Sequence, residues 1–260
     1  MNVIILPAYN EAKSIEPFFH SILVATQGKH DKYSILVCDD GSTDETHEIL
    51  MQLKDSYPIK FEIIRHKINR GLGETVRDLI EHAIMSLSDE DIIIRMDCDN
   101  THNPKYIESM ISRLNEGYDL VIASRFVEGG NQLGLNRKRK FLSFAATNFM
   151  KIIFGIKNIN EFTCGFRAYR VSILKEAIRV YGNNFIQLKN LGFVCTLEKL
   201  IKIKLLGATI SEIPFTLEYN KKLSASKMVF NVTVFGYFVM AVLYFWPRSG
   251  WKSTYSKNRN

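Results

Sequence analysis

The sequence predicts an α/β fold with a mostly parallel sheet flanked by helices. Its first half alternates short β-rich runs with amphipathic helical stretches, the pattern of successive βαβ units. Polar and acidic residues follow several of these runs, at the sheet edge where open parallel sheets bind ligands. The chain has 260 residues, 46% hydrophobic and 23% charged, which allows a compact domain with a real core and excludes disordered and collagen-like classes.

The β-rich runs and the helical stretches take turns along the first half of the chain. The predicted strands are Asn2–Pro7, Tyr33–Cys38, Lys60–Arg65, Asp91–Met96 and Leu120–Ser124. The predicted helices are Ala12–Ala25, Asp44–Leu53, Gly71–Ser86 and Pro104–Leu114. Residues directly after each strand are therefore the candidates for a functional site.

The first predicted strand ends in the segment 7–11 (PAYNE). A strand-ending proline followed by polar residues is also what a plain turn and a helix cap would show. Taken alone, the segment indicates no particular function.

The second predicted strand ends in the segment 39–44 (DDGSTD). The carboxylates of Asp39 and Asp40 can bind the base and the ribose hydroxyls of a nucleotide, and Gly41 lets the backbone turn tightly. Asp44 is equally a candidate N-cap for the next helix, so a purely structural loop is the alternative.

The segment 69–73 (NRGLG) precedes the third predicted helix. A glycine such as Gly71 permits close backbone approach, and a helix N-terminus favours anions. The pattern matches neither the Walker loop nor GxGxxG, so neither of those nucleotide-binding motifs is indicated.

The fourth predicted strand ends in the most specific signal, Asp97-Cys98-Asp99. Residues two apart on an extended chain point to the same side, so both carboxylates can face one ligand. Two carboxylates and a diphosphate suit Mg²⁺ or Mn²⁺, which would neutralise the charge on a departing diphosphate. His102 is close in sequence, but a single histidine is more often structural, and it is not part of the predicted metal site.

Two apolar segments with basic neighbours mark the second half. Arg137–Lys140 (RKRK) runs into apolar residues, which predicts an interfacial membrane helix over about 137–157 or, equally, a core helix beside a solvated basic loop. Residues 228–246 carry no charge and are just short of the roughly 20 residues that a spanning helix needs. We predict a main domain over 1–227 and a membrane-associated segment with a basic tail over 228–260, a buried terminal helix being the alternative.

Charge and cysteine usage restrict the partners and the compartment. The net charge of +7 indicates anionic partners, namely phosphates, anionic lipid or nucleic acid. The four cysteines form no CxxC pair, which disfavours a zinc ribbon or a thioredoxin-like site and indicates reduced thiols. The N-terminal apolar run Val3–Pro7 is too short for a signal peptide, so we expect the main domain on the cytoplasmic side.

The segments 7–11, 39–44, 69–73 and 97–99, taken together and in this order, resemble the motifs of glycosyltransferase family 2. The resemblance implies a GT-A (Rossmann-like) fold, inversion at the anomeric centre, and a DxD motif, here Asp97 and Asp99, that holds the metal and the nucleotide diphosphate. The residues that it implies for binding the nucleotide sugar are Pro7, Tyr9, Glu11, Asp39, Asp40 and Gly71.

The second half resembles a subgroup of that family, the polyprenyl-phosphate sugar transferases, which includes the dolichyl-phosphate mannosyltransferases. The matching segments are 124–126 (SRF) with 129–130 (GG), 161–169 (EFTCGFRAY), 212–214 (EIP) and 226–227 (SK). The departures from the pattern are Thr101 for Gln, Glu161 for Asp, Cys164 for Ser, Lys221 for Arg and Ser224 for Gly. They leave the reaction class intact and the identity of the sugar and the acceptor open.

The resemblance implies transfer of a hexose from a GDP- or UDP-sugar to a polyprenyl phosphate at the cytoplasmic face of a membrane. Because that acceptor is already ionised near neutral pH, positioning and electrostatics would supply most of the catalysis. The candidate residues for gripping the phosphates are Arg125, Arg167, Lys221, Ser226 and Lys227.

Two other functions stay open. A transferase of the same family that acts on a saccharide or glycolipid would need a general base, for which residues 161–200 offer only Gln187 and Glu198. A catalytically silent nucleotide-binding scaffold is the non-enzyme alternative, and the intact acidic segments argue against it. Nucleic-acid binding is disfavoured because the basic residues flank apolar stretches.

Overall fold

The computed structural model of the chain describes residues 1–134, 137–156, 158–224, 230–247 and 250–255. Ser226 and Lys227, two of the residues predicted to bind the acceptor phosphate, lie outside the described residues. So do the side chains of the basic cluster 137–140, although its backbone belongs to a described helix.

Seven of the described strands form a single sheet, and two more form a short parallel ribbon. The strands are β1 (Asn2–Ala8), β2 (Tyr33–Asp39), β3 (Lys60–Arg65), β4 (Ile92–Arg95), β5 (Leu120–Ser124), β6 (Asn131–Leu133), β7 (Arg167–Arg170), β8 (Ile210–Pro214) and β9 (Thr216–Glu218). The sheet has the order β3-β2-β1-β4-β7-β5-β8, and β6 pairs with β9. Its neighbouring strands are parallel except where β7 pairs with β4 and β5. The predicted mostly parallel sheet is confirmed, and all five predicted strands are present.

The predicted helices of the first half are present as α1 to α4. The described helices are α1 (Ala12–Ala25), α2 (Thr46–Ser56), α3 (Leu72–Ile84), α4 (Ile107–Asn115), α5 (Arg137–Phe154), α6 (Val171–Tyr181), α7 (Val194–Leu205), α8 (Phe230–Phe245) and α9 (Trp251–Tyr255). The largest difference from the predicted starts is at α4, which begins at Ile107 because Pro104–Tyr106 forms a 3-10 turn, capped by the Asn103 side chain.

Helices cover both faces of the sheet. Successive residues of β1 point to opposite faces, so Ile4 packs with α1, α2 and α4, while Ile5 packs with α3, α6 and α7. Both isoleucines are 0% exposed. A sheet buried on both faces needs apolar residues at successive positions, which explains the unbroken apolar runs of the sequence. Polar residues with a function are thereby confined to the strand ends.

Helix α8 packs against the rest of the chain on one side only. Met240 lies in the core and is 0% exposed, whereas Phe235 and Phe238 are 61% and 59% exposed. The rings of Phe238 and Phe149 of α5 lie 6.2 Å apart, so the two helices predicted to meet a membrane are neighbours. Among the described residues, no helix is long and apolar enough to cross a membrane.

Candidate active site

The carboxyl ends of β1, β2 and β4 bring three of the sequence-predicted segments together. The backbone N–H of Asp40 donates to the carbonyl of Ala8 at 2.8 Å, which joins the segment 39–44 to the end of β1. On the other side of β1, the Cys98 thiol donates to the carbonyl of Pro7 at 3.5 Å. The segment 7–11 therefore lies between the two acidic segments, as the sheet order requires.

Asn10 connects the first of these segments to the second, and the sequence analysis did not single it out. Its backbone adopts a left-handed conformation (φ 50°), which asparagine tolerates better than most residues. Its side-chain oxygen accepts from the backbone N–H of Thr43 at 2.8 Å, and its own N–H donates to Ser42 Oγ at 3.0 Å. The adjacent Glu11 is buried and donates its backbone N–H to Thr46 Oγ1 at 2.7 Å. Tyr9 and Glu11 thus flank a fixed turn.

Asp39 lies beside a cavity that fits part of a nucleotide. The side chain is 0% exposed, and its Oδ1 accepts from the backbone N–H of Ser42 at 3.0 Å. Its Oδ2 makes no hydrogen bond with a described residue, although His47 Nδ1 and Arg65 Nε lie 3.3 and 3.5 Å away. Ser42 and Arg65 also line a cavity of about 310 Å³. A buried carboxylate oxygen without a hydrogen bond, next to this cavity, is a suitable acceptor for the N–H groups of a base.

Asp40, predicted to bind the nucleotide sugar, joins the segment 39–44 to the loop at 70–71. Its Oδ1 accepts from the backbone N–H of Arg70 at 2.8 Å and contacts His66 Nδ1 at 2.7 Å. Its Oδ2 accepts from the backbone N–H of Gly71 at 2.9 Å. The carboxylate of Asp40 therefore binds the loop at 70–71, and the N–H of Gly71 is one of its donors. That Asp40 and Gly71 also contact the donor stays a prediction.

Asp97 and Asp99 follow β4 side by side, but their surroundings differ. Asp97 Oδ1 lies 2.6 Å from Arg95 Nη2, and the nearest partner of its Oδ2 is His102 Nε2 at 3.7 Å. Asp99 accepts from Thr101 on Oδ1 and forms an ion pair with Lys222 through Oδ2. Oδ2 of Asp97 thus makes no hydrogen bond with a described residue, whereas both oxygens of Asp99 are engaged.

His102 is buried, supports the turn that carries Asp97 and Asp99, and is neutral. It is 3% exposed, and burial lowers its pKa despite the two nearby carboxylates. Its Nδ1 accepts from the backbone N–H of Asp97 at 3.0 Å, which places the ring proton on Nε2. The ring stacks on Phe166 at 5.4 Å between centroids. The expectation that His102 is structural agrees with these contacts.

The two aspartates fit a divalent cation held jointly with a substrate. No cluster of three or more His, Cys, Asp or Glu with the spacing of a metal site occurs in the described part of the chain. Mg²⁺ needs no such cluster, because it is usually bound by one or two carboxylates together with phosphate oxygens and water. Oδ2 of Asp97 and an oxygen of Asp99, which Lys222 holds in this structure, would be the protein donors of such a site.

Arg125 follows β5 and is held by Glu161, a glutamate at a position where the resemblance implies an aspartate. Arg125 Nε and Nη2 donate to the two Glu161 oxygens at 2.6 and 2.8 Å. Glu161 is 0% exposed and also accepts from the backbone N–H groups of Thr163 and Cys164. Burial alone would raise the pKa of Glu161, but Arg125 and these hydrogen bonds lower it. Glutamate therefore performs this pairing in place of aspartate.

The other predicted phosphate-binding cations differ in burial and in the groups that they contact. Arg167 is 1% exposed, and its guanidinium donates to the backbone carbonyls of Cys164, Thr196 and Phe162. Its phosphate-binding role stays a prediction. Lys221 is exposed and pairs with Glu218 at 2.9 Å. Its neighbour Lys222 reaches Asp99, a contact that the sequence analysis missed although the residue stands in the predicted loop.

Comparison with known proteins now adds independent information. The sequence profile of glycosyl transferase family 2 matches residues 3–178. A dolichol-phosphate mannosyltransferase of Pyrococcus furiosus is 32% identical over 214 residues, which make up 82% of this chain and 55% of that protein. The chain thus spans little more than half the length of that relative. A polyprenol monophosphomannose synthase of Mycolicibacterium smegmatis is 25% identical over 226 residues, 87% of this chain and 80% of that protein.

Solved structures show a similar fold. A glucosyl-3-phosphoglycerate synthase from Mycobacterium tuberculosis, in complex with Mn²⁺, UDP and glucosyl-3-phosphoglycerate, superposes with a TM-score of 0.60. The match covers 94% of this chain and 78% of that one, at 15% sequence identity. At this identity the similarity concerns the fold alone, and it confirms the fold class predicted from the sequence.

Proposed function

The chain belongs to glycosyltransferase family 2, and from this membership we propose that it transfers a hexose from a nucleoside-diphosphate sugar to a polyprenyl phosphate. The names of the Pyrococcus and Mycolicibacterium relatives support a polyprenyl-type acceptor and make mannose the first sugar to test. In the proposed reaction the acceptor phosphate attacks the anomeric carbon opposite the departing diphosphate, so the configuration inverts.

The observation that carries the proposal is the state of Glu161 and Glu198, the two buried carboxylates of the segment 161–200. A hydroxyl acceptor must lose a proton to a general base, whereas a phosphate acceptor is already ionised. Glu161 is 0% exposed and clamped by Arg125. Glu198 is also 0% exposed and accepts from the N–H groups of Gln187 and Leu188 at 2.9 Å each. Neither carboxylate can take a proton from an acceptor, which favours the acceptor that needs none.

Cations around the site suit two phosphate groups. Arg125 keeps Nη1 free of hydrogen bonds to described residues, and its pKa is raised by Glu161 although burial opposes this, so it stays charged. Lys221 and Lys222 stand on the loop after β9, and Lys222 pairs with Asp99. We call the turn after β4 that carries Asp97 and Asp99 the acidic turn. A divalent cation held by Asp97 and Asp99 would neutralise the charge that develops on the leaving diphosphate. Positioning by these groups then supplies most of the rate acceleration.

A membrane-facing surface would bring the lipid acceptor to this site. Phe235, Phe238, Val242 and Phe245 recur on one stripe of α8 and are 61%, 59%, 52% and 50% exposed. We expect the change F235S/F238S to weaken binding to phosphatidylcholine–phosphatidylglycerol vesicles by on the order of 10-fold, since each phenylalanine loses apolar burial in the lipid. Vesicle co-sedimentation measures this, with circular dichroism as the check on folding.

The control for this prediction is M85S, because Met85 is 86% exposed and lies at the end of α3 rather than on α8. It should bind vesicles like the unchanged protein. Equal binding by F235S/F238S would show that the α8 stripe is not the membrane contact.

The acceptor class is tested with matched acceptors. Purified protein, Mn²⁺ and radiolabelled GDP-mannose, GDP-glucose, UDP-glucose or UDP-N-acetylglucosamine are incubated with a polyprenyl phosphate, with the corresponding polyprenol, or with free oligosaccharides. We expect labelled lipid with the phosphate and none with the polyprenol, because only the phosphate is ionised without a base. Transfer to an oligosaccharide would favour the saccharide-acceptor function instead.

A further inference from the structure

A cluster of buried cations lies behind Asp97, on the core side of the site. Arg95, Arg167 and Lys199 are 2%, 1% and 1% exposed, and we call them the buried cation cluster. Arg95 and Arg167 stand directly opposite each other in the antiparallel pairing of β4 with β7. Burying like charges together is costly unless each has a partner. The partners of the three residues therefore indicate what each one is for.

Two members of the cluster have a structural explanation. The guanidinium of Arg167 is satisfied by three backbone carbonyls. Burial, with the charges of Arg95 and Arg167, lowers the pKa of Lys199 to about 7, so this side chain can shed its charge near neutral pH. Arg95 has neither a set of carbonyl acceptors, like Arg167, nor the ability to lose its charge, like Lys199. A guanidinium does not deprotonate in proteins, and its Nε and Nη2 make no regular hydrogen bond with a described residue.

Among the described residues, the one carboxylate in contact with Arg95 is that of Asp97. Arg95 Nη2 lies 2.6 Å from Asp97 Oδ1. The space for this guanidinium exists because residue 165 is glycine, since a Cβ atom there would lie 1.2 Å from Arg95 Nη1. The chain therefore provides a fitted place for a permanent buried charge directly behind the first aspartate of the acidic turn. A residue chosen for stability alone would be apolar here, as Ile92, Ile93 and Ile94 are on the same strand.

The two aspartates differ in how a cation holds them. Arg95 approaches Asp97 from the core, cannot leave, and occupies only Oδ1. Lys222 approaches Asp99 from a surface loop and occupies Oδ2 while Thr101 occupies Oδ1. Lys222 therefore competes with any metal ion at Asp99, whereas Arg95 leaves the outer oxygen of Asp97 open.

We propose that Arg95 is a positioning residue that fixes Oδ1 of Asp97 and so presents Oδ2 to the divalent cation. The inference rests on the proposed function, because it assumes that Asp97 binds a metal ion. It assigns a role to a residue that does not itself contact the substrate. Arg95 would hold Oδ1 through an ion-pair contact without regular hydrogen-bond geometry, and removing a residue that orients a metal ligand typically changes metal affinity by about 10- to 100-fold.

The test measures Mn²⁺ affinity from the electron paramagnetic resonance signal of free Mn²⁺, with and without GDP or UDP. We expect R95M and R95Q to bind Mn²⁺ about 10-fold more weakly than the unchanged protein. K199M is the matched control, because it removes a buried cation of the same cluster that does not touch Asp97, and its affinity should stay within about twofold, far below the loss expected for a ligand partner. K222A should bind Mn²⁺ alone as tightly or more tightly, since a competing cation is gone.

Metal-free nucleotide binding and the unfolding midpoint are measured on every variant, and a merely structural role for Arg95 would change these rather than Mn²⁺ affinity. A folded R95M or R95Q that binds Mn²⁺ like the unchanged protein overturns the inference and leaves the proposed function standing. If the unchanged protein binds no Mn²⁺ with either nucleotide, the proposed metal dependence fails, and the inference fails with it.

Discussion

Replacing Asp99 by asparagine is expected to lower the rate of sugar transfer by on the order of 10²- to 10³-fold. The change keeps the size of the side chain and an oxygen that can accept from Thr101, but it removes one of the two negative charges of the proposed metal site. Losing a preorganised group that stabilises charge in the transition state typically costs this much. The side chains of Asp99 and Lys222 are only 13% and 12% exposed, so the unfolding midpoint is measured as well, to separate a loss of stability from a loss of catalysis.

The measurement is initial rate with the labelled donor that the unchanged protein prefers. D55N is the matched control, because Asp55 is an exposed aspartate at the end of α2 and should leave the rate unchanged. A D99N protein with full activity would remove Asp99 from the metal site.

Replacing Glu161 by alanine is expected to lower the free energy of unfolding by about 3–5 kcal/mol, the usual cost of leaving a buried charge without its partner. Arg125 would lose both of its carboxylate contacts, and the N–H groups of Thr163 and Cys164 would lose their acceptor. Urea denaturation at pH 7 measures the change.

The contribution of Glu161 also has a defined pH dependence. Its pKa in the folded protein lies below the ordinary value of 4.5, so its stabilisation is complete above that pH and declines as the pH falls through the lower folded value. E161A should therefore differ most from the unchanged protein near neutral pH. E176A is the control, because Glu176 pairs with Arg179 on the surface of α6, and no shift of the unfolding midpoint is expected. A similar response of both variants would contradict the account of the Arg125–Glu161 pair.

The positions of the strands and of the acidic turn followed from the sequence because they depend on local pattern. Unbroken apolar runs fixed β1, β2, β4 and β5, and a parallel sheet then brings the residues after these strands to one edge. Asp39, Asp97 and Asp99 could be placed at that edge on these grounds alone.

The sequence was least informative about residues whose contacts depend on a distant partner. Asp40 is as acidic and as close to the strand end as Asp39, but the loop at 70–71 takes up its oxygens. Arg167 stands in a motif typical of phosphate-binding enzymes, yet it lies on β7, the antiparallel strand inserted into the centre of the sheet, and points into the core. Nothing in the sequence next to Asp40 or Arg167 indicates these contacts.

Lys222 and Arg95 were missed for the same reason. Lys222 was one lysine in a basic loop until β9 brought that loop to the acidic turn. Arg95 was visible as a charge at the end of an isoleucine run, a position where a parallel strand is normally apolar. A charged residue that interrupts such a run was therefore the signal that was available.

The most direct test of the account is the structure of the product formed from a nucleotide sugar and a polyprenyl phosphate. Mass spectrometry and ³¹P-coupled proton NMR of the organic-extractable product establish which atoms are joined and the configuration at the anomeric carbon. The account predicts a sugar joined through its anomeric carbon to the lipid phosphate, with the configuration opposite to that of the donor. A product with the donor's configuration, or a sugar attached to a hydroxyl group, would contradict it.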